Sequence, residues 1–283
     1  MSNKLKGITF IIISAFGFAV MSIFIRLSGD LPTIQKVFFR NIMTIFFSAG
    51  LIIYFKGTFF GTRGNRSLLL YRSGLGLSGM VLYFYAIDNS VLADANMLNK
   101  ISTFFLILFS FVFLKERIKR YQTISIIVAF IGTLFIIKPA FQIEIIPYIA
   151  AIFSAIFAGA SYTLLRYLGD KEKFFTITFF FSLFSVVTLF PFFIYYFEPM
   201  TTTQLIYLLL AGTFASIGQY GITIAYRYAP AREISIFNYL NVVFVTIISF
   251  FVFTELPDIY SFIGYFIIFG SSFYIFCKTQ KEV

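Results

Sequence analysis

Arg40 and Lys100 are the two charged side chains that fall well inside long apolar stretches of this 283-residue chain. A cation among apolar segments is costly and faces a cavity or a partner, so chemistry is expected where these two lie. Arginine presents a planar fork suited to buried pairing or to a carboxylate, whereas lysine presents a compact ammonium that binds an anion or releases a proton. For Arg40 two roles stand open: a structural one, tying helix carbonyls or pairing with an acid such as Asp94, and a substrate-binding one. Lys100 reads as a substrate contact. Polar neighbours recur at helical spacing. Asn96, Asn99, Lys100 and Thr103 share a face, and Arg40, Thr44 and Ser48 repeat every fourth residue. Ser216, Gln219 and Thr223 form a third stripe, and Ser235, Asn238 and Asn241 a fourth. Such stripes line a wet cavity or bond helix to helix, and the presence of Arg and Lys favours the cavity.

The candidate substrate contacts are therefore Lys100, Arg40, Asn96, Asn99, Thr103, Tyr83, Gln219, Asn238 and Asn241. Phe18, Tyr85 and Tyr162 are further candidates for aromatic walls. Asp94 and Glu233 open segments, where a carboxylate caps the helix dipole or makes a gating salt bridge. The chain has no histidine and one cysteine, Cys277, so a His/Cys metal site, an internal disulfide and a histidine relay are excluded, and no cofactor is expected. Acids paired for a general base or a metal are also missing, which argues against an enzyme.

These residues are carried by ten apolar runs: 7–25, 33–54, 67–87, 92–114, 121–138, 146–166, 175–197, 203–226, 232–253 and 258–277. Each approaches the roughly 20 residues needed to cross a bilayer as a helix. Apolar residues are 59% and charged residues 12% of the chain, well outside soluble composition. The first run is long and lacks a small-residue cleavage site, so it reads as a retained helix. Pro191, alone among seven prolines, lies inside a run and should bend the seventh helix. Small residues four apart mark close helix contacts at Gly74 and Ser78, at Ala151, Ala155 and Gly159, at Gly212 and Ser216, and at Gly221 and Ala225.

With a cytoplasmic N-terminus, seventeen Lys and Arg fall on the inner side, Arg72 among them, and only Arg26, Lys36 and Lys138 on the outer. That asymmetry predicts both termini in the cytoplasm. It also makes the net charge of +10 a topology signal rather than a nucleic-acid surface. A shift of about 139 residues lays the second half on the first: Gly79, Ala86, Asp94, Glu116 and Tyr121 meet Gly218, Ala225, Glu233, Glu255 and Tyr260. Five segments per copy force the second copy to enter from the opposite face. The expected fold is an all-α integral membrane protein of ten helices in two inverted repeats, residues 1–140 and 141–283, with the site between them.

The stretches "VFFRN" (37–41), "YRSGLGLSGMVLYFYAI" (71–87) and "FSFVFLKERI" (109–118), with the echo "ISFFVFTELP" (248–257), resemble the EamA-type carriers of the drug/metabolite transporter superfamily. The resemblance spans essentially the whole chain. It implies alternating access around a central cavity lined by segments 1–4 and 6–9, and transport of amino acids, nucleotide-linked metabolites or other small solutes, often outward. The small multidrug carriers of the same superfamily depend on a glutamate in the first helix. Here that helix offers Ser14 and Ser22, which argues against proton-coupled export of cations. Lys100 and Arg40 favour a carboxylate-bearing solute such as an amino acid. The expected protein is a multi-pass transporter of the plasma (inner) membrane. Its partners are a small-molecule substrate, bilayer lipid and a coupling ion for which the proton is the candidate, with no nucleic acid, as monomer or homodimer. A channel or lipid scramblase, and then a membrane-embedded transferase, are the competing classes.

Overall fold

The computed structural model describes residues 3–115, 118–137, 145–169, 171–229 and 234–280. Glu233, expected to cap or gate, and Glu116 of the "FLKE" stretch lie outside them. The described elements are helices and turns. In chain order they are α1 (Asn3–Leu27), α2 (Thr33–Tyr54), a short 3-10 turn (Arg63–Asn65), α3 (Arg66–Asn89), α4 (Leu92–Lys100), α5 (Ser102–Leu114), α6 (Arg120–Ile137), α7 (Ile146–Leu168), α8 (Phe174–Tyr195) and α9 (Thr202–Tyr228). A 3-10 turn (Ser235–Tyr239), α10 (Leu240–Phe253) and α11 (Ile259–Gln280) complete the chain. Counting α4 with α5 as one span, nine of the helical stretches among the described residues are long and apolar enough to cross a membrane. Helix α3 is as long but more polar, carrying Arg72, Ser73, Gly74, Gly76, Ser78 and Gly79.

Polarity is turned outside in. Phe46, Phe113, Phe251 and Phe266 lie two-thirds or more exposed, while Ser14, Asn41, Thr44, Asn96 and Asn241 are fully buried. An apolar rim around a polar interior suits lipid as the solvent. Helix α8 runs through Pro191 to Tyr195.

Packing is dominated by pairs drawn from the two halves: α1 with α9, α3 with α7, α2 with α8, α6 with α11, and α4 with α10. Under the 139-residue shift this pattern maps onto itself, because exchanging halves turns the α1–α9 pair into the α7–α3 pair and leaves α2–α8 and α6–α11 in place. Helix directions follow from the contacts. Arg26, near the end of α1, donates to the Ser90 carbonyl just past α3 at 2.7 Å, so these helices end together. Ser161, late in α7, donates to the Arg72 carbonyl early in α3, so α7 runs antiparallel to both.

Glycine sets the closest approaches. A Cβ on Gly17 of α1 would stand 2.8 Å from the Gly218 nitrogen of α9. At the equivalent contact a Cβ on Gly79 of α3 would meet the Ser154 carbonyl of α7 at 3.2 Å. Gly159, Gly212 and Gly221 are tight in the same way, but Gly74 faces open space, so the expected contact at Gly74 and Ser78 does not form through that glycine. Gly17→Leu should cost about 1–3 kcal/mol by overpacking against backbone that cannot yield, read as a lower melting temperature in detergent.

Both ends are tied across the halves. At the end where α1 and α3 finish, Arg26 bonds Glu255, past α10, at 2.6 Å. At the other end Glu172, before α8, accepts from the Thr62 amide at 2.8 Å, the Thr62 hydroxyl at 2.6 Å and the Asn65 amide at 2.8 Å. Gly61 turns there at φ +62°, and a Cβ would press on the Glu172 carboxylate. Burial acts to raise the Glu172 carboxyl, but its hydrogen bonds outweigh that and hold it below the usual carboxylate range. A lowered carboxyl stabilises the fold above its unfolded-state pKa, and that contribution is lost as pH falls through the folded one. Glu172→Gln should therefore lower the melting temperature at about pH 7 and have little effect near about pH 3, checked by melts across pH.

Candidate functional site

Between the halves lies a cavity of about 100 Å³, walled by α1 to α5 on one side and by α7, α8, α9 and Asn238 on the other. Helix α4 stops at Lys100, where the Ile101 amide turns back to the Leu98 carbonyl at 3.1 Å and a new helix starts at Ser102. The segment opposite is irregular at the equivalent place, a 3-10 turn to Tyr239 and then α10. Nothing in the composition of 92–114 announced this break, since it has neither Pro nor Gly. Breaks of this kind inside spanning segments mark sites in transporters. Lys100 and its neighbour Asn99, whose amide donates to Ser154 at 2.7 Å, thus sit on a tightened turn beside the cavity.

Seven of the nine expected contacts line this space: Lys100, Arg40, Asn99, Thr103, Tyr83, Gln219 and Asn238. Two do not. Asn96 lies behind the wall, accepting from the Tyr83 hydroxyl at 2.5 Å and from Ser22, so it positions Tyr83. Asn241 turns toward α1 and donates to the Ala15 carbonyl. Of the aromatic candidates, Phe18 and Tyr162 line the cavity and Tyr85 points outward. The Thr44–Ser48 part of the α2 stripe bonds to α9 instead, through Ser216 at 3.0 Å and Tyr220 at 2.7 Å. Asp94 is buried and accepts from Ser261 and from the Tyr265 hydroxyl of α11, which makes it a tie between halves.

The residue that charge counting misplaced is Arg72. Its place near a segment start suggests the cytoplasmic side, yet it is 3% exposed and lines the cavity. The signal was present: Arg72, Gly76, Gly79 and Tyr83 fall on one helical face, and all four line the wall. The guanidinium of Arg72 lies 4.2 Å from the centre of the Phe181 ring and that of Arg40 6.0 Å from the same ring. Gly76 makes room for this ring, since a Cβ there would come 2.9 Å from it. Arg40 also donates to Asn41 at 2.9 Å.

Among the described residues the cavity thus gathers three cations, Arg40, Arg72 and Lys100, and no lining carboxylate. Arg40 Nε, Arg72 Nε and Nη1, and Gln219 Nε2 are buried without an acceptor among the described residues. Such an arrangement attracts a ligand rich in acceptors and negative charge. No group of three or more His, Cys, Asp or Glu able to hold a metal occurs among the described residues.

The sequence matches the EamA-like transporter family twice, over residues 5–138 and 145–277. The chain belongs to that family. The pseudopaline exporter of Pseudomonas aeruginosa is 30% identical over 259 residues, 89% of each chain. Human solute carrier family 35 member G1 is 26% identical across 89% of this chain and 73% of its own. A solved crystal structure at 14% identity covers 98% of both chains with a TM-score of 0.74, a likeness of fold. The EamA-family relatives thus bear transporter names, in line with a multi-pass membrane transporter of small molecules rather than an enzyme.

Proposed function

We propose that this EamA-family protein is a secondary transporter of small polar metabolites bearing carboxylate or other anionic groups. Residues 1–140 and 141–283 act as two inverted repeats that rock about the cavity, with both termini in the cytoplasm. The observation that carries the reading is the cluster of Arg40, Arg72 and Lys100, without lining acids among the described residues, placed where the halves meet. Antiparallel α1 and α7, and a packing pattern unchanged when the halves are exchanged, support the inverted duplication. The pseudopaline exporter's name supports outward movement of a metabolite.

The test is uptake by proteoliposomes with and without an imposed proton or solute gradient. Accumulation against a gradient is expected. Flux that only equilibrates solute would favour a channel, and lipid movement without solute flux a scramblase. Arg40→Lys should lower the transport rate about tenfold or more if its planar fork meets the substrate, because an ammonium cannot reproduce two parallel hydrogen bonds. An unchanged rate would place Arg40 among the structural residues.

A further inference from the structure

Charge within the cavity narrows what it binds. All three cations come from the first half: Arg40 from α2, Arg72 from α3 and Lys100 from the α4–α5 break. Among the described residues the second half contributes only uncharged groups to the wall, among them Phe181, Tyr162, Gln219 and Asn238. Three of the described acids are engaged elsewhere: Asp88 binds Lys36, Glu255 binds Arg26, and Asp94 accepts from Ser261 and Tyr265. Among the described residues no acid on the wall answers the three cations.

The positive charge also falls into two groups. Arg40 and Arg72 lie against one ring, that of Phe181, and form a single cluster of forked donors. Lys100 comes from another element, the α4–α5 turn, next to Asn99, and is not one of the two cations on the Phe181 ring. A zwitterionic amino acid fits poorly, because its ammonium would meet three cations and, among the described residues, no carboxylate. A solute with two anionic groups and no cation meets both clusters. We infer that the substrate of this site carries at least two negative charges and no positive one, one anionic group lying between Arg40 and Arg72 and the other at Lys100. This rests on the transporter reading for its use in transport, but the binding it asserts is independent of it. Dicarboxylates and phosphate esters share this chemistry.

The experiment is thermal stabilisation of the purified full-length protein by a graded set of probes: propionate, alanine, glutamate, succinate and glycerol 3-phosphate. Succinate or glycerol 3-phosphate should stabilise at concentrations at least tenfold lower than propionate or alanine, and the better of the two names carboxylate or phosphate as the second group. Glutamate should fall behind succinate because of its ammonium. Lys100→Gln should bring the doubly charged and singly charged probes within about threefold of one another, while Arg72→Lys, which keeps the charge, should retain the preference. Stabilisation by alanine equal to that by succinate, no stabilisation by either doubly charged probe, or an unchanged preference in Lys100→Gln would each overturn the inference. Binding with this charge preference but without accumulation in proteoliposomes would sink the transporter reading and leave the charge inference standing.

Discussion

Lys100→Met should reduce transport at least about 30-fold, in line with the roughly 2–5 kcal/mol typical when one partner of a buried charge contact is removed. Methionine keeps the length and apolar stem of lysine and removes only the ammonium, so the tightened turn at Ile101 has no steric reason to collapse. The side chain lines the cavity and has no ion-pair partner among the described residues, so the change breaks no ion pair there. The variant should therefore insert, elute and melt like the unaltered protein. Initial uptake rates at matched protein content decide the matter, and an undiminished rate for the true substrate would remove Lys100 from the site.

A covalent link between α1 and the segment after α10 should arrest transport almost completely and reversibly. Arg26 and Glu255 join the halves at 2.6 Å, and Arg26 also caps the carbonyls of Ile87 and Ser90 at the end of α3. Alternating access requires that the halves separate at this end in one of the two states. Cys277 is the sole native cysteine, so Arg26→Cys with Glu255→Cys in a Cys277→Ser background gives a single addressable pair. A short cleavable dithiol reagent should stop flux, and reduction should restore it. Either single cysteine variant treated alike should keep transporting. Full flux through the linked protein would show that this end does not open.

Ten apolar runs were legible because lipid demands continuous apolar length, and nine of the described stretches meet that standard with ends close to those expected. Arg40, Lys100 and Gln219 were legible as polar residues where lipid forbids them. Arg72 was not, because a charge about six residues into a helix looks alike whether it reaches back to water or turns inward. Its placement depends on Phe181, more than 100 residues away and itself one of 43 phenylalanines. The break at Ile101 was hidden because no Pro or Gly marks it, although α4 there packs against α7 and α10. Asn96 and Asn241 shared faces with cavity residues, but spacing alone does not separate a wall from the layer behind it.

The dominance of pairings between halves has a consequence for how the chain is made. Helix α1 finds its main partner in α9, and α3 in α7, so the early helices enter the bilayer long before their partners are synthesised. Over that interval Arg40, Arg72 and Lys100 lie in a half-built bundle without the Phe181 ring or the polar wall of α7 and α9. Biogenesis must hold five inserted helices open to later arrivals, and the insertion machinery that shelters them has to release the nascent protein only after the second half has been threaded.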